Sequence, residues 1–134
     1  IVVHVYLHGE FLNSFWADGL IIATPTGSTA YSLSCAGPIA YPTSGTFVLT
    51  PVAPHNLNAR PIIIADNTVL SFEVECRSNN FLCSIDSRSQ NVDVSYQLAV
   101  RKANFTFTLL RMPESSYLNT LREKLNWGED SRNS

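Results

Sequence analysis

The sequence predicts an all-β fold: a β-sandwich-like domain of short antiparallel strands, with one short helix after a TPTG turn and one carboxyl-terminal helix. Three observations lead there. Short apolar runs, alternating or continuous, recur along the chain; Gly, Pro, Asn and Asp punctuate them at the close spacing of a sandwich or barrel; and only two stretches carry helix signals. With 134 residues, 45% of them apolar, the chain suits one domain, 1–134, built on one core.

The elements follow in order. Ile1, Val3, Val5 and Leu7 alternate with Val2, His4, Tyr6 and His8, as a strand with one buried face does. His8-Gly9 supplies a tight turn and residues 11–16 return, completing a hairpin. Ala17-Asp18-Gly19 turns the chain again into the continuous apolar run 20–23, which Pro25 and Gly27 end. Further strands are expected over 47–50, 62–65 and 69–76, the last with Leu70, Phe72 and Val74 on one face. The series continues over 81–85, 92–96, 98–101 and 105–110. If Asn79-Asn80 turns a hairpin, Cys76 and Cys83 become cross-strand neighbours, with two core thiols as the plain reading. Near the end, Ser115 and Ser116 offer caps, and Leu118, Leu121 and Leu125 recur at helical spacing before Trp127-Gly128. That Leu stripe is expected to pack on the sheet, and the last six residues to fray.

Charge and composition exclude several functions. Nine Lys and Arg against eleven Asp and Glu give a formal charge of −2, and no basic run offers a footprint for nucleic acid. Three cysteines without C-x-x-C spacing or a His cluster argue against a disulfide framework or a zinc site, and so for a reducing, cytoplasmic setting. No apolar stretch is long enough for a bilayer and no signal-peptide pattern stands at the start, so a soluble protein with no membrane partner is expected. The chain opens at Ile1 inside a strand pattern and its only Met is Met112, which reads as a piece cut from something longer.

The stretch TPTGSTAYS at 24–32 carries the functional signal. It places five Ser and Thr residues, a Pro and a Gly directly after a buried strand. Gly27 permits a sharp turn, and Ser28, Thr29 and Ala30 suit the first turn of a short helix, whose free N–H groups can hold phosphate or a polar ligand edge. Tyr31 can stack on a flat ring. A plain helix cap, with Thr26 satisfying its own backbone, fits the same residues. A Walker loop is excluded because no Lys follows the Gly, and a nucleophile elbow because Ser28 lacks its flanking glycines.

The residues DGLIIATPTGSTAYSLS at 18–34, GPI at 37–39, LTPVAPH at 49–55 and ARP at 59–61 closely resemble the carboxyl-terminal half of NAD kinases. DSRS at 86–89 and LREKLNWG at 121–128 fall where that family has comparable segments, so the likeness covers nearly the whole chain. NAD kinases transfer the γ-phosphoryl group of ATP to the adenosine ribose 2′-hydroxyl of NAD, making NADP. Their amino-terminal α/β domain, with a Gly-Gly-Asp-Gly segment that supplies the catalytic Asp, is absent from this chain. The resemblance therefore implies the NAD-binding and oligomerising carboxyl-terminal β domain of a bacterial-type NAD kinase. ATP and a divalent cation, Mg²⁺, are held largely by the missing half, and no catalytic residue or metal ligand lies here. The chain alone is expected to make no NADP.

By the same resemblance, Asp18 sits at the nicotinamide end of bound NAD. Thr26, Thr29, Ala30 and Tyr31 line the adenosine side, and Ser32, Leu33 and Ser34 continue that wall. Ala53 and His55 approach the nicotinamide, often from a neighbouring subunit of a dimer or tetramer, and Arg88 stands where many relatives carry Gln or Asn. Trp16 replaces a basic ligand-contacting residue of some relatives, and Cys35-Ala36 replaces smaller residues. Exposed apolar residues among Phe11, Phe15 and Trp16 are candidates for the oligomer contact. The plain alternatives are a structural turn at Asp18, a core Leu33 and a loop histidine at His55. Two other functions compete: a non-catalytic β module that binds a nucleotide or a protein, and a lipid kinase, which is not expected to carry TPTGSTAYS.

Overall fold

The computed structural model describes residues 1–130 and 132. The chain divides into two compact units, Ile1–Lys102 and Ala103–Ser134.

The first unit is the sandwich. Strands β1 (Val2–Leu7) and β2 (Glu10–Trp16) form a hairpin, and β6 (Leu70–Glu75) and β9 (Leu98–Val100) extend it into a four-stranded sheet, ordered β2-β1-β6-β9. The His8-Gly9 turn has both central residues at positive φ, 49° and 81°, the geometry whose twist matches the flanking strands. Between Val5↔Asn13 and Tyr6↔Phe11 the register shifts, leaving Leu12 as a bulge. The second sheet has three strands, β3 (Gly19–Ala23), β4 (Thr46–Val52) and β5 (Ile62–Ala65), in chain order.

Alternation decides which side chains meet. Val3, Val5, Phe15, Leu70, Phe72 and Val74 from the first sheet are buried with Phe47 and Leu49 from the second, and Leu20, Ile22, Ile62 and Ile64 pack against them. This shared core makes the expected sandwich. Phe15 is 3% exposed, so it leaves the set of candidate interface residues and joins the core, whereas Phe11 and Trp16 face solvent.

Three expectations change. Asn79-Asn80 does not fold β7 back on β6: β7 (Asn80–Ile85) pairs with β8 (Arg88–Asp93), while β6 lies between β1 and β9. Cys83 therefore faces Gln90 across the hairpin, and the Cys76 thiol donates to the Ser78 carbonyl at 2.7 Å, so the two thiols are not cross-strand neighbours. The strand expected at 92–96 begins earlier, because Asp86, at φ 50°, sets a turn that lets Arg88 pair with Ile85. In the second unit, 105–110 forms no strand, since none of the described residues offers it a partner ladder and an unpaired strand has no stability of its own. Its Phe105, Phe107, Leu109 and Leu110 are exposed.

The terminal helix α2 (Tyr117–Leu125) forms as expected. The Ser116 hydroxyl accepts from the Asn119 N–H, and Asn126 closes the helix in a left-handed conformation. No residue of α2 is buried. Of the last six residues, expected to fray, 131, 133 and 134 lie outside the described set.

Candidate functional site

The TPTGSTAYS segment leaves β3 and folds back over the outer face of the second sheet. It forms a four-residue 3₁₀ turn (Thr26–Thr29) and then α1 (Tyr31–Ser34), not one helix with a single dipole end. The Thr24 hydroxyl, not that of Thr26, takes the Gly27 N–H at 3.1 Å, and the Thr29 hydroxyl donates back to the Thr26 carbonyl. Local hydroxyl bonds of this kind hold such a turn without a long helix behind it.

Four-residue spacing then sorts the side chains. Ser28 and Ser32 are 0% and 1% exposed. Ser28 Oγ donates to the Pro25 carbonyl at 2.5 Å and accepts from the Ala40 N–H at 3.0 Å. Ser32 Oγ shares a hydrogen bond of 2.8 Å with Thr50 Oγ1 of β4, and Thr50 is itself fully buried. Gly37 closes the arrangement: its N–H donates to the Ser32 carbonyl at 2.8 Å, and a Cβ there would lie 2.3 Å from Ser32 Oγ and 2.7 Å from the Ser32 carbonyl oxygen. Ala23, Ala40 and Val48 form a small apolar cluster on the same face of the sheet.

With the serines turned inward, the opposite side of the segment is outward. Thr26, Thr29, Ala30, Tyr31 and Ser34 are exposed, and Leu33 is half-buried. Tyr31 is 61% exposed. Its phenol is pushed above the ordinary value of 10.0, first by hydrogen bonding with the Cys35 thiol, then by charge on that thiol, by partial desolvation and by the Asp18 carboxylate. The phenol and the Asp18 carboxylate thus share one local field, although they are 13 positions apart.

Asp18 stands exposed in the turn before β3, its N–H bonded to the Val52 carbonyl at 2.9 Å. The loop after β4 is tied to the same turn: the His55 N–H donates to the Trp16 carbonyl at 2.8 Å, and the Ile1 and Ala17 backbones bond reciprocally. Ala53, at φ 46°, and His55 are both exposed in this loop. The structure therefore brings Asp18, Tyr31, Ala53 and His55 to one end of the second sheet. Arg88 is separate from them in the chain's hydrogen bonding: it stands at the turn of the β7–β8 hairpin, exposed and without an ion pair among the described residues.

The face is open. A depression of about 140 Å³ lies between the Asn13 to Trp16 end of β2 and the loop after β4, lined there by Pro54, Asn56 and Asn58, and neither Asp18 nor Tyr31 lines it. Among the described residues no three His, Cys, Asp or Glu side chains converge to hold a metal ion, and no helix is long and apolar enough to cross a membrane. Cys35, Cys76 and Cys83 are free thiols.

Sequence reasoning gave Thr50, Gly37 and Ser28 no inward role, and it set Ser32 in the ligand wall, whereas the Ser32 side chain is buried against Thr50. Spacing was the available signal: Ser28 and Ser32 are four apart, and Thr50 stands two residues beyond Val48, on the strand face that also carries Ala23's partner.

Comparison with known proteins supplies the remaining evidence. The family model described as the ATP-NAD kinase C-terminal domain matches residues 1–112. A protein of Cytophaga hutchinsonii named NAD kinase is 53% identical over 133 residues, which are 99% of this chain and 46% of that protein. Among solved structures, yeast NADH kinase complexed with NADH superposes with a TM-score of 0.86 at 27% identity, over 99% of this chain and 42% of the yeast one. An NAD kinase from Archaeoglobus fulgidus in complex with ATP gives a TM-score of 0.69 at 26% identity, over 78% of this chain and 40% of its own. The chain spans about half the length of the relatives it matches.

Proposed function

The chain belongs to the NAD kinase family, which it matches through the carboxyl-terminal domain, and from that premise we propose that the protein carrying it phosphorylates the adenosine ribose 2′-hydroxyl of NAD with ATP to make NADP. One observation carries the reading. The TPTGSTAYS segment, within the matched residues, is anchored from beneath by Ser28 and Ser32 and turns Thr26, Thr29, Ala30 and Tyr31 outward, with the Asp18 carboxylate acting on the Tyr31 phenol.

On this reading the chain holds NAD. Thr26, Thr29, Ala30 and Tyr31 form the adenosine wall, with Leu33 and Ser34 continuing it and Ser32 supporting it from behind. Tyr31 offers a ring for stacking and a phenol that stays protonated through the physiological range, able to donate a hydrogen bond. Asp18 accepts from the carboxamide or ribose at the nicotinamide end, near Ala53 and His55. Arg88 belongs to the site through the resemblance alone.

ATP and Mg²⁺ are assigned to the part of the protein outside this chain. Phosphoryl transfer needs a base, a positioned hydroxyl and metal-bridged phosphates. On this reading the chain's part is to position the hydroxyl, and among the described residues no three His, Cys, Asp or Glu converge on a metal ion. The openness of the face fits a site whose other wall comes from elsewhere. Phe11 and Trp16, exposed on the first sheet, and Tyr6, edge-on to Phe11 with ring centroids 5.6 Å apart, are assigned to a homo-oligomer contact in a dimer or tetramer. The free thiols fit a cytoplasmic location.

The test is NADP formation from NAD, ATP and Mg²⁺ by the intact protein and by residues 1–134 alone. Turnover by the intact protein only is expected. Folded intact protein that binds NAD without turnover favours a non-catalytic nucleotide-binding module instead.

A further inference from the structure

We infer that Thr50 is a positioning residue for dinucleotide binding, acting through Ser32 on the pose of Tyr31; the inference rests on the NAD-binding reading above. A helix of four residues has no stability of its own, so α1 takes its orientation from what holds it to the sheet. The hydrogen bond from Ser32 Oγ to Thr50 Oγ1 ties the helix to β4 at 2.8 Å, with both residues buried. Successive residues of a helix are 100° apart around its axis. Fixing Ser32 inward therefore fixes the direction in which Tyr31 leaves the surface and keeps its phenol in the field of Asp18.

Packing alone does not set this direction. The apolar cluster on this face of the sheet is Ala23, Ala40 and Val48, with Ile21 packed against it, aliphatic groups that set no preferred roll of a four-residue helix about its axis. A directional bond between two buried hydroxyls removes that freedom, and a binding group held in place by a second layer binds without first being ordered.

The obvious objection is that the pair serves stability only, and two variants of the intact protein separate the roles. Thr50→Val keeps the shape and orphans the Ser32 hydroxyl. The double variant Thr50→Val with Ser32→Ala removes both hydroxyls, which restores stability because no buried polar group is left unpaired. A positioning role predicts that KM for NAD rises about fivefold in both, the factor one ordinary hydrogen bond is worth, while KM for ATP stays put. Thr50→Ser should restore the wild-type value. A double variant with normal Tm and normal KM for NAD overturns the inference, as does an equal rise for both substrates. Wild-type protein that neither binds nor turns over NAD removes the parent reading and this assignment together.

Discussion

On the outer face of the first sheet, His4 bonds to Ser14 Oγ at 2.6 Å and to the Glu75 carboxylate at 2.9 Å, with the Glu75 side chain 72% exposed. On the outer face of the second, Ser32 and Thr50 make a hydrogen bond of similar length with neither residue in contact with solvent. The two networks look alike on paper and differ in what surrounds them. Water competes for the Glu75 carboxylate on the first face, so losing that partner changes little. On the second face an orphaned hydroxyl has no substitute. The covered face can therefore hold a recognition segment in one pose, whereas the open face is suited to surface contacts.

The largest test of this contrast is Gly37→Ala. Two of the three atoms that the new Cβ would meet, Ser32 Oγ at 2.3 Å and Thr50 Oγ1 at 2.8 Å, belong to the buried pair, and the third is a backbone carbonyl oxygen that cannot rotate away. Overpacking of this kind destabilises by about 3 kcal/mol, a fall in Tm of roughly 10 °C for a domain of this size. A thermal melt within about 2 °C of wild type would mean that the segment shifts freely over the sheet, and the distinction between the faces would fail.

Tyr31→Ala probes the outward side of the same segment. The ring is mostly exposed, so stability should change by no more than about 0.5 kcal/mol. Loss of one stacked ring predicts KM for NAD about tenfold higher in the intact protein, with KM for ATP unchanged. Equal losses for both substrates would remove the adenosine-wall assignment and leave Tyr31 as a surface residue.

Much of this was legible in the sequence. Val3, Val5 and Leu70, Phe72 and Val74 alternate, and alternation alone fixes which face is buried. His8-Gly9 was legible as a tight turn, and the structure gives both residues positive φ. What could not be read was partnership between strands. Nothing local to Asn79-Asn80 says that β6 pairs with β1 and β9, because register between distant strands is decided by which apolar faces meet. The alternating residues 105–110 show the same limit: the pattern of a strand is present, and a ladder also needs a neighbour. At the site, the types of residue were visible and their directions were not. Ser32 read as part of the ligand wall until a covered sheet face with Thr50 turned it inward, and Ser28 read as a first-turn residue whose hydroxyl the Pro25 carbonyl and the Ala40 N–H take up.

The smallest expected effect is also the control. Glu75→Gln removes the charge opposite His4 while keeping an acceptor for its ring nitrogen. Because Glu75 is mostly exposed and its pair is a surface one, stability should move by less than about 0.5 kcal/mol, and KM for NAD should not move at all. Urea unfolding of the variant and the wild type, at low and at high salt, checks this. A loss above about 1 kcal/mol, screened away by salt, would show that the His4 network holds the first sheet as firmly as Ser32 and Thr50 hold the second. The two outer faces would then differ in the ligand that they present and not in how rigidly they present it, and the argument for a preorganised binding face would have to rest on Tyr31 and Asp18 alone.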